Sequence, residues 1–171
     1  MIYIYNDFGG THTTSLAAAY HLKLLKPPSR MLTKEEILAV PFFNKLTKKD
    51  AGKIIFHGID DEGHSVYTLG RRSSKLVVPA LKNICLLLQN RDQLEERIIF
   101  SNTSPTVPLA MTIGGFFSRG LGIDFIGVPL LVKGAQQCCD HIYQLVENTK
   151  QIAKETTEEK IITLENENFQ A

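Results

Sequence analysis

The chain carries almost no net charge: 19 lysines and arginines stand against 18 aspartates and glutamates, a formal charge of +1. Such a balance supplies no overall field to hold nucleic acid or an acidic membrane, and no basic run with interleaved aromatics makes one locally. Long apolar runs are missing too. ALKNICLLLQ is broken by Lys82 and Asn83, so nothing approaches the roughly 18 apolar residues of a membrane span. Cysteine is rare: Cys85, Cys138 and Cys139 are odd in number and lack metal-type spacing. The adjacent pair would point about 100° apart on a helix, where bridging is uncommon. The first residues, with Tyr3 and Tyr5, read as a strand rather than as a basic segment before an apolar signal core. These absences argue against nucleic-acid and membrane partners and favour a reducing cytoplasm.

What is present has ordinary globular composition, 43% hydrophobic and 22% charged over 171 residues, enough for one domain with a real core. A strand is expected over 2–5, then a loop over 6–11 and a helix over 13–25 with Leu16, Ala17, Tyr20 and Leu24 on one face. Pro27 and Pro28 stop it. TKEE predicts a capping box, Thr33 capping and Glu36 reaching back, on a short helix through Val40 that Pro41 ends. PFFNKLTKKDAGK reads as a connecting excursion or lid with Phe42 and Phe43 exposed beside a basic patch. IIFHGID and SVYTLG flank a glycine turn at 61–64 and predict a hairpin.

A helix over 75–90 follows, with Leu76, Ala80, Ile84, Leu87 and Leu88 at helical spacing and Pro79 near its first turn. RIIFS is a strand, NTSPT a polar loop, and 108–119 a helix closed by Gly120. DFIGVPLLV is expected to contain the last strand, before a long helix carrying Ala135, Cys138, Cys139, Ile142, Leu145, Val146 and Ile152. Beyond it the chain turns polar and acidic, and IITL is expected to fray rather than add an edge strand.

Alternating strands and helices place the chain in the α/β class. The expected architecture is a single three-layer domain over 1–153, P-loop or Rossmann-like, followed by a polar tail over 154–171. Its mostly parallel sheet has about five strands, with one antiparallel hairpin strand at 54–59. A right-handed crossover makes 66–69 parallel to the first strand.

Ligands of open α/β sheets sit outside the carboxyl ends of the parallel strands. Those ends carry NDFGGTHTT, GRRSS and SNTSPT. The first combines Asn6, Gly9, Gly10, Thr11, Thr13 and Thr14 ahead of an alanine-rich helix, as a phosphate cradle would. Arg71 and Arg72 suit bidentate contact with phosphate, and Ser101 and Thr103 add hydroxyls. The Walker A lysine is absent, however, and Thr11-His12 stands near its place; RIIFS also ends in Ser101 rather than in a metal-binding acid. This is a degenerate P-loop, a phosphate or anion loop without the usual nucleotide-hydrolysis machinery. His12 is the candidate catalytic group, as acid–base or phosphoryl acceptor, although a neutral donor or a plain helix-terminal histidine fits its position equally. Asp7 suits metal holding, orientation of His12, or local turn bonding. His57, Asp60, Asp61 and His64 straddle the hairpin, but strand alternation and turn chemistry make a metal site there unexpected. No Gly-x-Ser-x-Gly elbow supports a hydrolase.

The stretches YNDFGGTHTTSLAAAYHL, KKDAGKIIFHGIDDEGHSVYTLGRR and IGGFFSRGLGIDFIGVPLLVKG resemble a bacterial family catalogued as domain of unknown function 3189, over about residues 1–146. The shared features are Tyr5, Gly9, Gly10 and His12, the run from His57 to Asp60, and the Leu69 to Arg71 turn. The resemblance implies a cytoplasmic protein of endospore-forming bacteria with a link to sporulation, and brings no cofactor or mechanism. Two functions are therefore carried forward. One is a small-molecule enzyme or nucleotide-binding protein acting on a phosphorylated ligand. The other is a non-catalytic regulator or scaffold that binds a protein partner through Phe42, Phe43 and the final helix.

Overall fold

The computed structural model describes residues 1–92 and 95–171. Five strands form one sheet in the order β2-β3-β1-β4-β5: β1 Ile2–Asp7, β2 Ile54–Ile59, β3 Ser65–Gly70, β4 Ile98–Asn102 and β5 Ile161–Leu164. β1, β3, β4 and β5 run parallel to one another, and β2 pairs antiparallel with β3, with a bulge at His57. The α/β class and the mostly parallel sheet expected from alternation are present.

Side-chain alternation along the strands divides the core in two. Tyr3, Tyr5, Val66 and Ile99 face α1 (Thr13–His21), α2 (Lys34–Ala39) and α5 (Asp124–Glu155). Ile4, Leu69, Ile98 and Phe100 face α3 (Val77–Asp92). The capping box at Thr33 and Glu36 forms as its spacing predicts.

Four expectations are corrected. First, DFIGVPLLV is the start of the 32-residue α5 and not a strand. Gly127 and Gly134 lie one heptad apart on the face toward α4 (Leu109–Gly115), and a Cβ at Gly134 would sit 2.7 Å from the Met111 backbone. These two glycines are what lets the backbones meet. Second, IITL is strand β5, because Ile161 and Ile162 bury themselves while pairing with β4. Third, Phe43 is only 2% exposed and belongs to the core, while Phe42 packs its ring 4.9 Å from that of His57. The exposed aromatic pair on which a scaffold role rested is therefore not there. Fourth, α3 half-buries Val77, Val78, Leu81, Cys85 and Leu86 against the sheet, while Ile84, Leu87 and Leu88, and Leu76 just before it, face outward. Both of its faces are apolar, so periodicity alone could not choose between them.

His21 sits inside the domain, at 1% exposed. Burial pulls its pKa down to about 4 against the opposing hydrogen bond to Asp60. The neutral ring therefore donates from Nε2 to the Asp60 carboxylate (3.0 Å) and accepts the Tyr5 hydroxyl at Nδ1 (2.7 Å). This relay ties the hairpin turn to α1. Because the folded pKa lies below the ordinary 6.5, the stability His21 contributes is complete above about pH 6.5 and is lost as pH falls toward 4. Urea unfolding should show a loss of about 2–3 kcal/mol between pH 7 and 4.5. His57, lowered to about 4 by burial, adds in the same direction. A His21→Gln variant should show a shallower pH dependence.

Candidate functional site

The last two residues of β1 point to opposite faces of the sheet. Asp7 turns toward α1, and its carboxylate accepts the Gly10 amide and the Thr13 hydroxyl (2.8 Å). Thr13 in turn meets the Thr103 hydroxyl at 3.0 Å. The glycine loop thus closes around a carboxylate of its own chain. Gly10 adopts φ 71°, and a Cβ on it would lie 2.6 Å from the Gly70 backbone nitrogen. Only a bare backbone fits there. The Arg71 amide donates to Asp7 O and the Arg72 amide to Phe8 O, both at 2.9 Å, so the loops after β1 and β3 are zipped together. The Thr103 amide joins the third loop by donating to Asn6 O at 2.8 Å.

Two cavities open on either side of this seam. The larger, of about 740 Å³, is bounded by the glycine loop, residues 46–48, Ser104, α4 and the π-helical turn Phe116–Gly120. Gly9, Thr11, His12 and Arg72 line it, together with Lys48, Arg119 and an apolar wall of Val107, Met111, Phe116 and Leu121. Three cations thus face one carboxylate, Asp7, whose oxygens are already engaged. Among the described residues neither Lys48 nor Arg72 has a carboxylate partner, while Arg119 reaches Asp124 at 3.3 Å. Arg72 lies over the Phe8 ring, 5.5 Å from its centroid.

The smaller cavity, about 410 Å³, is lined by Asn6, Arg71, Lys75 and Lys82 on the α3 side. Arg71 is held there by Asn6 Oδ1 (3.1 Å), Asn102 Oδ1 (3.4 Å) and Ser104 Oγ (3.3 Å). The two arginines therefore serve different cavities instead of one clamp, as neighbours leaving a strand on opposite sides must. Thr14 is fully buried, with its hydroxyl unpartnered among the described residues. Ser101 is also buried, bonded to Thr149 and Asn166 at 2.9 Å each, away from both cavities.

His12 is partly buried against Phe43, ring centroids 5.5 Å apart, with Nε2 3.2 Å from Asn44 Oδ1. Burial lowers its pKa, the Asn44 hydrogen bond and the Asp7 charge oppose that, and Arg119 reinforces it. The ring is neutral at neutral pH. Thr11 organises the segment behind it: its hydroxyl donates to Phe42 O (2.7 Å) and accepts the Lys45 and Leu46 amides (3.2 Å each). Lys48, Asn44 and Arg119 were not singled out by sequence reasoning. The basic patch around Lys48 was visible but had no reason to point at the glycine loop.

Among the described residues no group of three or more His, Cys, Asp and Glu is placed to hold a metal, and no helix is long and apolar enough to cross a membrane. A family model described as "Protein of unknown function (DUF3189)" matches residues 2–151. No curated protein and no solved structure matches the chain.

The glycine contact between loops is directly testable. Gly10→Ala, which strains φ and drives a Cβ into β3, should cost about 2 kcal/mol or more in urea unfolding. Gly63→Ala, also at positive φ but facing open space, should cost less. Equal costs would show that the backbone contact is not what demands glycine.

Proposed function

The chain belongs to the DUF3189 family, whose description carries no activity, and we propose from the chemistry of the larger cavity that it binds a phosphorylated small molecule or nucleotide there. The observation that carries this reading is charge. Arg72, Lys48 and Arg119 surround one space, and two of the three lack a carboxylate among the described residues. A multiply charged anion is what such a space accommodates. The apolar wall of Val107, Met111, Phe116 and Leu121 suits an uncharged remainder of the ligand.

The glycine loop follows the central strand and opens α1, as a P-loop does, but it works differently. Asp7 already takes the Gly10 amide, so the ligand's anionic group is met by side chains outside the loop rather than by amides within it. That arrangement accounts for the missing Walker lysine. The loop's task is to present His12 and Phe8 along one wall, where Phe8 holds Arg72 of the neighbouring loop, with His12 as the group that exchanges a proton with the ligand.

A melting-temperature screen with inorganic phosphate, pyrophosphate, sugar phosphates and nucleotides tests this. At a hundred times its Kd, one ligand should add about 2.7 kcal/mol, or about 5–10 °C for a chain of this size. Lys48→Ala combined with Arg72→Ala should abolish the shift, and Arg71→Ala, in the other cavity, should preserve it. Flat curves at millimolar concentrations, or a shift retained by the double variant, would remove the proposal.

A further inference from the structure

We infer that Asn44 is a positioning residue for His12, holding the imidazole as its Nε2–H tautomer so that Nδ1 is a bare acceptor at the larger cavity. The ligand of that cavity then carries a hydroxyl or amine hydrogen beside its anionic group. The part concerning the ligand rests on the binding reading above; the part concerning the tautomer does not.

The tautomer follows from a chain of hydrogen bonds in which each donor is forced by the one before. Asp124 accepts only, its carboxyl held below the usual range chiefly by the Ser118 hydroxyl and aided by Arg119. Ser118 must therefore spend its single hydrogen on Asp124. Its oxygen is left to accept, and the nearer Asn44 atom, Nδ2 at 2.9 Å, donates to it. This fixes the amide orientation: Oδ1 faces His12 Nε2 at 3.2 Å and can only accept. Nε2 carries the hydrogen, and Nδ1 does not. Nδ1 has no partner among the described residues and lies toward Gly115, which lines the cavity; a Cβ at Gly115 would come 3.4 Å from His12 Cε1.

The backbone supports a functional reading of Asn44. Phe42 sits at φ 61°, in the left-handed region that a bulky residue seldom enters, and Asn44 follows at φ 53°, which asparagine tolerates better than most side chains. Strain of this kind persists only where the surroundings over-determine it, and Thr11 does so here with its hydroxyl bonds and with its carbonyl, which accepts the Asn44 amide at 3.0 Å. The twist aims the Asn44 side chain across His12 to Ser118, 74 residues away in the chain. When a ligand O–H or N–H meets Nδ1 and yields its proton, that bond breaks, an N–H bond forms on Nδ1, and the electron pair stays with the ligand atom. Asn44 keeps its hydrogen bond from Nε2 throughout.

Nitrogen-15 NMR of the ligand-free protein reads the tautomer directly. At pH 7.5 the His12 ring should show a protonated Nε2 and a bare Nδ1, and Asn44→Gly, which tolerates the same φ, should give averaged tautomers. Asn44→Asp places a carboxylate against Nε2–H and should raise the ring's proton affinity about tenfold or more. A protonated Nδ1 in the parent chain, or an unmoved His12 titration in Asn44→Asp, would overturn the inference. Stability loss alone in these variants would also do so, since a merely structural asparagine predicts that and nothing more. Titration with inorganic phosphate near pH 6, where a P–O–H is available, separates the two proposals. A response at Nδ1 supports both. Binding without one refutes the acceptor role. An absence of binding, repeated with pyrophosphate, sugar phosphates and nucleotides, refutes the ligand reading, while the tautomer result stands on its own.

Discussion

A buried carboxylate governs the carboxyl edge of this sheet. Asp7 is 5% exposed and is satisfied by one amide and one hydroxyl of the loop that follows it. A charge in that position would be costly without such donors, so the loop must curl until Gly10 and Thr13 reach it. That curl brings Gly10 against Gly70, which joins the second loop, and Thr13 against Thr103, which joins the third. The position of His12 at the start of α1 and of Arg72 at the end of β3 are consequences of the same closure.

The same closure changes the meaning of the glycine motif. A loop of this composition normally offers its amides to an external anion. Here one of them is taken internally, and in the binding we propose the electrostatic task falls to cationic side chains from distant segments, Lys48 and Arg119. Such a site is assembled by tertiary packing: the 42–48 segment is drawn in by Thr11, and Arg119 arrives on the π-helical turn after α4.

This explains which parts of the molecule were legible in the residues. Strand and helix alternation, the Thr33–Glu36 cap, the hairpin and the parallel pairing of β1 with β3 depend on local pattern, and they read correctly. The neighbourhood of the three loops also followed from topology. Legibility ended where the deciding contact is remote. Phe43 looks like a surface residue until the core on that face of the sheet and the His12 ring cover it. Gly127 sits in a run that looks like a strand until α4 is laid against it. The buried face of α3 could not be chosen, because Val77, Val78 and Leu81 compete with an equally apolar opposite side. Asn44 had no local signature at all, since its partner Ser118 is far along the chain.

The edge strand β5 has a bearing on where the folded unit stops. The family match ends at residue 151, whereas Ile161–Leu164 complete the sheet ten residues further on. Cutting the chain at the end of the match would strip β4 of its outer neighbour and leave a row of amides and carbonyls facing water beside Ile98 and Phe100. Bare margins of that sort recruit other chains by strand addition. A fragment meant to behave as an independent body has to keep the segment through Leu164, even though sequence similarity alone would discard it.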